Sequence, residues 1–493
     1  MSHTMNYIST RDNHEPVSSA AAINFGMVPG GGLFVPQSLP HVDASAAADE
    51  TYHQTAFRVL RPLLSDYSDQ ELTECIQSAY NEQTFDTPSV VRLADIGRNR
   101  HVLELWHGPT AAFKDVALQI MPHLLRIAKN KLNKTNHTVI LVATSGDTGK
   151  AALEGFKDCE GISIIVFFPD GGVSPIQKLQ MVTTTGNNTH VVGVRGNFDD
   201  CQTGVKEIFG TAELGRQLKE RNLEFSSANS INWGRLSPQI VYYFRAYGRL
   251  LSAGSITPGS PVDFCVPTGN FGNILAGYYA QRMGVPIRRL ICASNKNKIL
   301  TDFFTTGIYD RNRSFYRTMS PSMDILISSN LERFLYEISG QDGREIIRMY
   351  NELSQTGRFS VNGDIKSRMD QTITPCWVDE PQVLETIGKV FRETGYTIDT
   401  HTAVAVAAAE EMQDEQVPVV IDSTASPFKF SRDVLKGIHG EYIENEFDSI
   451  RRLQEITNVP IHSAVDGLDS MEIRHRRVID IKEMKQAVLD SLT

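Results

Sequence analysis

Cysteine is scarce in the sequence: six residues, at 75, 159, 201, 265, 292 and 376, with no CxxC pair among them. That scatter argues against a disulfide framework or a zinc site and suits a reducing cytoplasm. No uninterrupted apolar run approaches the ~18 residues of a membrane span, and the first residues, MSHTMNYISTRDNHEP, lack the apolar core of a signal peptide. Basic charge is not in excess either. Lys and Arg number 48 against 58 Asp and Glu, and the net charge of −10 leaves no global pull toward nucleic acid or an anionic membrane. The short run RHRR (Arg474 to Arg477) sits among acidic residues and reads as a solvated, ion-paired face. GxGxxG and GxxxxGK[ST] are both missing, so dinucleotide and nucleoside-triphosphate binding have no fingerprint. Internal repeats and low-complexity tracts are absent as well.

What is present is an ordinary globular composition, 41% hydrophobic and 22% charged, over 493 residues. A chain of this length exceeds one core, so two to four domains are expected. The start mixes a turn-rich stretch, VPGGGLFVP, with helical patterns such as SDQELTECIQSAY, where Ser68 and Glu71 have the spacing of a capping box. From about residue 100 strands and helices alternate. Val102 to Trp106 reads as a strand and the positions around Val116 to Leu125 as a helix, with Pro122 marking a kink or boundary. TVILVA, ISIIVFF, THVVGV, VDFCVP, RLICASN and PVVIDS are continuous apolar strands. Such runs between helices indicate an α/β protein with parallel-type sheets covered on both faces. The expected divisions are an N-terminal domain at 1–97 and a large domain from 98–129 and 226–440. A smaller mobile α/β domain at 130–225 and a C-terminal helical extension at 441–493 complete the chain.

Ligand groups in such folds sit on loops at the carboxyl ends of strands. TGNFGN (Thr268 to Asn273) follows a strand and opens a helix. Gly269 and Gly272 allow close backbone approach, and the free amides favour an anion such as phosphate; a plain tight turn is the competing reading. TSGDTGK (Thr144 to Lys150) has the same placement, with Thr144, Ser145 and Thr148 as hydroxyl donors and an ordinary helix cap as its bland alternative. ANSINWGR contributes Asn229, Ser230 and Arg235, and arginine suits a phosphate fork. Its alternative is a polar loop before a helix beginning near Pro238. The remaining oddity is Lys114, set among small and apolar residues in HGPTAAFKD. A surface lysine is the usual explanation. Two phosphate-competent loops make a shielded lysine that binds pyridoxal 5'-phosphate (PLP) fit better, since apolar neighbours and a helix start both disfavour its ammonium form.

HGPTAAFKDVALQ, ATSGDTGKAA, NSINWGRLSPQIVYYF, VPTGNFGNILAGYYA and STASPFKF, in this order, resemble the threonine synthase family. YISTRDN, GGGLFVP, SNKNKILTDFF, TMSPSMDILISSN and IDTHTAVA extend the likeness over nearly the whole chain. The resemblance implies a tryptophan synthase β-like, fold type II PLP enzyme with an added N-terminal domain. It implies that Lys114 carries PLP as its internal aldimine and that Gly269, Asn270, Phe271, Gly272 and Asn273 hold the cofactor phosphate. Thr424 would meet the pyridine nitrogen with a neutral hydroxyl, and Asp147 would lie near the 3'-oxygen of the ring. Thr144, Ser145, Thr148, Asn229, Ser230 and Arg235 would bind the substrate's carboxylate or phosphate. Many members carry TAHPAKF where this chain has TASPFKF, so Ser426 and Phe428 depart from the pattern.

By that resemblance the reaction is the last step of threonine biosynthesis, conversion of O-phospho-L-homoserine and water to L-threonine and phosphate, with Lys114 also moving protons. A cytoplasmic monomer or homodimer acting on a small molecule, without nucleic acid, membrane or metal, is expected. A phospho-lyase releasing 2-oxobutyrate is the first alternative, and a cofactor-free binding or regulatory protein on the same fold is the second.

Overall fold

The computed structural model describes residues 4–492, apart from the side chains at 199, 210, 212 and 213. Its centre is a six-stranded sheet in the order Ile373–Trp377, Ile287–Ser294, Val262–Pro267, Val419–Ser423, Arg100–Glu104 and Arg92–Asp95. The first five strands run parallel and the last is an antiparallel edge. Val262–Pro267, Val419–Ser423 and Arg100–Glu104 are buried along their whole length, as central strands of a covered sheet should be, and the polar residues of Arg100–Glu104 are buried with it. Because these three strands are neighbours, their following loops (TGNFGN, TAS and HGPT) emerge side by side.

A second sheet of five parallel strands runs Val478–Asp480, Thr189–Arg195, Ile162–Pro169, His137–Ala143 and Leu223–Ser226. Two of the expected divisions therefore fall differently. Residues 92–95 join the large sheet rather than the N-terminal domain. The C-terminal extension is not purely helical either, because Val478–Asp480 adds an edge strand to the small sheet.

Local expectations fare unevenly. Ser68 and Glu71 do form a capping box on the helix Asp69–Ala79. The helical stretch after the lysine divides into Lys114–Leu118 and Met121–Lys131, with Pro122 in the first turn of the second, where a missing N–H is tolerated. Pro238 behaves otherwise. The long helix Trp233–Ser252 starts five residues before Pro238 and carries it internally. Burial of nearly the whole helix outweighs the lost hydrogen bond. Its first residue, Trp233, is fully buried against Tyr7, which ties the N-terminal segment to the large domain.

Candidate functional site

The loop HGPTAAF is a sharply folded turn held by the carboxylate that follows the lysine. Asp115 accepts from the Thr110 amide (2.9 Å) and from the Thr110 hydroxyl (2.7 Å). A Cβ on Gly108 would lie 2.4 Å from the Asp115 Cβ, so only glycine fits this close approach. The turn is stitched to the neighbouring strand's loop: the Phe113 amide donates to the Thr424 carbonyl (2.9 Å) and the Ser426 amide to Ala111 (3.1 Å). These bonds place Lys114 and Thr424 on the wall of one cavity of about 210 Å³.

All five residues of GNFGN line the same cavity. Phe271 is left-handed, with φ +62°, and its ring packs on Phe304 and Phe334. Its side chain therefore anchors the loop in the core while its backbone faces the cavity. A Cβ on Gly269 would come within 2.9 Å of the Ser322 carbonyl oxygen, and that crowding accounts for the glycine. Asn273 caps the far side, its side-chain Oδ1 accepting from the hydroxyls of Tyr242 and Tyr243.

The opposite wall comes from the small sheet and the loop before the long helix. Thr144, Ser145, Thr148, Asn229, Ser230 and Arg235 all line the cavity. Thr144 also serves its own turn, its hydroxyl accepting from the Gly146 and Gly149 amides (2.9 Å each). Ser230 accepts from Asn330 (2.9 Å). Arg235 is buried and donates to the Ala228 carbonyl (2.9 Å) and, at 3.5 Å, to Thr148. Its Nε has no partner among the described residues, and no carboxylate there lies within ion-pair distance. Burial pulls its guanidinium down to about 10. A buried cation without a counter-ion, facing a cavity, marks an anion position.

Asp147 lies beneath the cavity at the first turn of Asp147–Phe156. It is an ionic junction: Lys114 Nζ is 3.3 Å from Oδ2, and Lys429 Nζ is 2.5 Å from Oδ1. Gln177 (2.9 Å) and the Ser322 hydroxyl (3.2 Å) also donate to it. Burial opposes its charge, but Lys429 and then Lys114 outweigh this and hold the carboxyl far below its usual range. Lys114 moves the other way. Burial lowers its amine below the ordinary lysine value, and Asp147 offsets part of that. The helix at Lys114 has only five residues, so its dipole is a smaller influence than the sequence suggested.

Reasoning from sequence missed several groups. Lys429 stands inside STASPFKF, where the family pattern singles out Thr424, and nothing in the local sequence shows its burial. His401, in IDTHTAVA, also faces the cavity. Its Nδ1 pairs with Asp399 (2.8 Å) while Nε2 accepts from the Ser322 amide (3.1 Å), which fixes the proton on Nδ1. The helix Phe198–Gly210 brings Phe198, Gln202 and Lys206 to the cavity mouth; no motif signalled these. Ser426, the departure from the family pattern, is buried outside the lining, and its hydroxyl has no hydrogen-bond partner among the described residues.

Three family profiles match. Residues 6–80 match the threonine synthase N terminus, 88–363 the pyridoxal-phosphate-dependent enzymes, and 402–488 the threonine synthase C-terminal segment. The chain is 40% identical over 482 residues to threonine synthase-like 1 of Macaca fascicularis, covering 93% of this chain and 64% of that protein. It thus spans less than two thirds of the length of that longer relative. A threonine synthase of Pseudomonas aeruginosa is 39% identical over 442 residues, covering 89% of this chain and 91% of the other. The crystal structure of PLP-bound threonine synthase from Brucella melitensis superposes with a TM-score of 0.86 at 34% identity, covering 99% of both chains. The chain belongs to the threonine synthase family of pyridoxal-phosphate-dependent enzymes.

Proposed function

We propose that this chain converts O-phospho-L-homoserine and water to L-threonine and phosphate. One observation carries the substrate reading: the buried, carboxylate-free guanidinium of Arg235 faces the cavity that Lys114 and the TGNFGN loop also line. The cavity so offers two anion positions, one for a cofactor phosphate and one for a substrate anion.

The residues fit PLP. Gly269 and Gly272 leave a backbone cradle, Lys114 supplies a buried amine, and Thr424 supplies a neutral hydroxyl on the same wall. Lys114, Gly269 to Asn273 and Thr424 are the residues that would hold it, with Asp147 beneath the cavity acting through its contact to Lys114. When bound, the cofactor supplies an electron sink for charge developing on the substrate.

The protein's own groups do the rest. Lys114, once free, removes and returns protons at the substrate's α- and β-carbons; its depressed basicity leaves more uncharged amine at neutral pH. Arg235, with Ser145 and Thr148, takes the departing phosphate. A preorganised donor of this kind is worth roughly 2.7–4 kcal/mol in the transition state. Asn229, Ser230 and the Thr144 hydroxyl proton hold the substrate's other polar groups. Movement of the small sheet and Phe198–Gly210 over the mouth would control entry of water. A reducing compartment is in keeping with six free cysteines.

The deciding experiment supplies O-phospho-L-homoserine to the PLP-loaded protein and quantifies L-threonine against 2-oxobutyrate, with Lys114→Ala as the control. Threonine as the main product supports the synthase. Predominant 2-oxobutyrate makes the protein a phospho-lyase, and neither product with no lysine-bound cofactor band leaves a binding protein.

A further inference from the structure

Two lysines share one buried carboxylate, and only one of them has a task in the proposed reaction. Lys429 is fully buried, and its Nζ lies 2.5 Å from Asp147 Oδ1 and 3.1 Å from the Thr110 carbonyl. Lys114 reaches the other oxygen of the same carboxylate at 3.3 Å. A lysine buried this completely, on a short 3-10 turn (Pro427–Phe430), requires a compensating charge, and Asp147 is that charge. A single carboxylate cannot fully neutralise two ammonium groups at these distances.

We propose that Lys429 is a positioning residue that occupies Asp147 and so keeps the Lys114 amine available in its uncharged, nucleophilic form. The inference rests on Lys114 being the cofactor lysine. Its physical content is a competition. Lys429 holds the nearer oxygen, leaving the longer contact to Lys114, and its own positive charge adds repulsion. Both effects disfavour protonation of Lys114, in the same direction as burial. The remaining charged and titratable groups around this cluster act with or beside it. Arg235, from the long helix, also disfavours the Lys114 cation. Asp115, on the short helix of Lys114, is buried, pushed up to about 6 mainly by burial, and feels Lys429. His462, from the C-terminal segment, is lowered to about 4, chiefly by burial and in part by Lys429. His401 faces the cavity with its proton committed to Asp399, and Lys206 stands at the mouth.

The test uses the full-length protein freed of cofactor. PLP is added across a pH series, bound adduct is trapped with borohydride, and the fraction modified at Lys114 is read by peptide mass spectrometry. Lys429→Met should move the midpoint of Lys114 labelling upward by about one pH unit or more. Lys429→Arg, which keeps a cation beside Asp147, should stay near wild type. Asp147→Asn should move the midpoint downward, opposite to Lys429→Met, a pattern that mere loosening of the fold cannot produce. Thermal unfolding of each variant confirms that it is folded. An unmoved midpoint in folded Lys429→Met overturns the proposal, as does a shift of the same sign in both variants. If Lys429→Met does not fold, Lys429→Arg and Asp147→Asn decide: an unmoved Asp147→Asn midpoint, or a displaced Lys429→Arg midpoint, refutes the coupling. Absence of labelling at Lys114 in wild type would instead refute the cofactor assignment, a distinguishable failure.

Discussion

The two walls of the cavity are built differently. On the large-sheet wall, loops from adjacent strands are joined by short main-chain bonds, such as Phe113 to Thr424 at 2.9 Å and Ser426 to Ala111 at 3.1 Å. The Ser328 hydroxyl donates to the Gly269 carbonyl at 2.9 Å and extends that framework to the TGNFGN loop. The small-sheet wall is tied mainly to itself, through Thr144 and its own turn. Across the cleft between the two walls a neutral contact is long, 3.5 Å from the Gln180 amide to the Thr110 carbonyl. Ionic contacts across it converge on Asp147. One wall is preorganised for a resident group; the other meets it through the charge cluster and through apolar packing of Ala151, Leu153 and Phe156 in one core with Val116 and Leu118.

Perturbing each wall should give different signatures. Lys114→Ala removes the amine from the rigid wall and should abolish threonine formation, by about 10⁴-fold or more, with loss of the lysine-bound absorbance band. Arg235→Met acts on the other wall and should lower kcat/KM for the phosphorylated substrate by roughly 10²–10³-fold while the cofactor band persists. If both variants lose the band equally, the division of labour between the walls is wrong. Gly269→Ala places a methyl 2.9 Å from the Ser322 carbonyl. It should weaken PLP retention by about tenfold or more, measured by equilibrium dialysis, because the rigid loop cannot yield cheaply. Lys206→Ala, at the exposed mouth, should raise KM by less than about tenfold and leave kcat alone. A collapse of kcat there would mean the small-sheet wall takes part in chemistry.

The smallest expected effect concerns the base of the rigid wall. His107 pairs with Asp86 (2.5 Å) and Glu104 (2.7 Å). Burial disfavours its charge, but these hydrogen bonds outweigh burial and raise it above the ordinary histidine value. A raised folded-state value means that this stabilisation is complete below about pH 6.5 and is lost as pH rises through the folded value. Urea unfolding at pH 6 and pH 9 should therefore show a pH-dependent loss in wild type that His107→Gln lacks. Equal pH dependence in both proteins would remove His107 from the account.

Much of this was legible in the residues themselves, for identifiable reasons. Continuous apolar strands announced the two sheets, because a strand covered on both faces leaves no room for alternation. The glycines of TGNFGN suggested room for an anion; at Gly269 the structure also shows the Ser322 carbonyl packed close, while a Cβ on Gly272 would meet nothing nearer than 3.5 Å. Pro238 misled as a helix start because packing of a largely buried helix overrides a local breaker. Val478–Asp480 went unseen as a strand because three residues carry almost no periodicity, and pairing with Thr189–Arg195 supplies its structure.

By itself the sequence determined the fold class and singled out one lysine and the polar loops at strand ends, since these depend on local properties: apolar continuity, glycine freedom, and residue chemistry at strand ends. Only the tertiary structure decided which loops meet and which charges must share. Strand order puts residues 104, 267 and 423 side by side despite wide separation in the chain. The same order brings Lys429 and Lys114 onto opposite oxygens of Asp147. Electrostatic coupling depends on distance and burial, and neither is written in the order of residues.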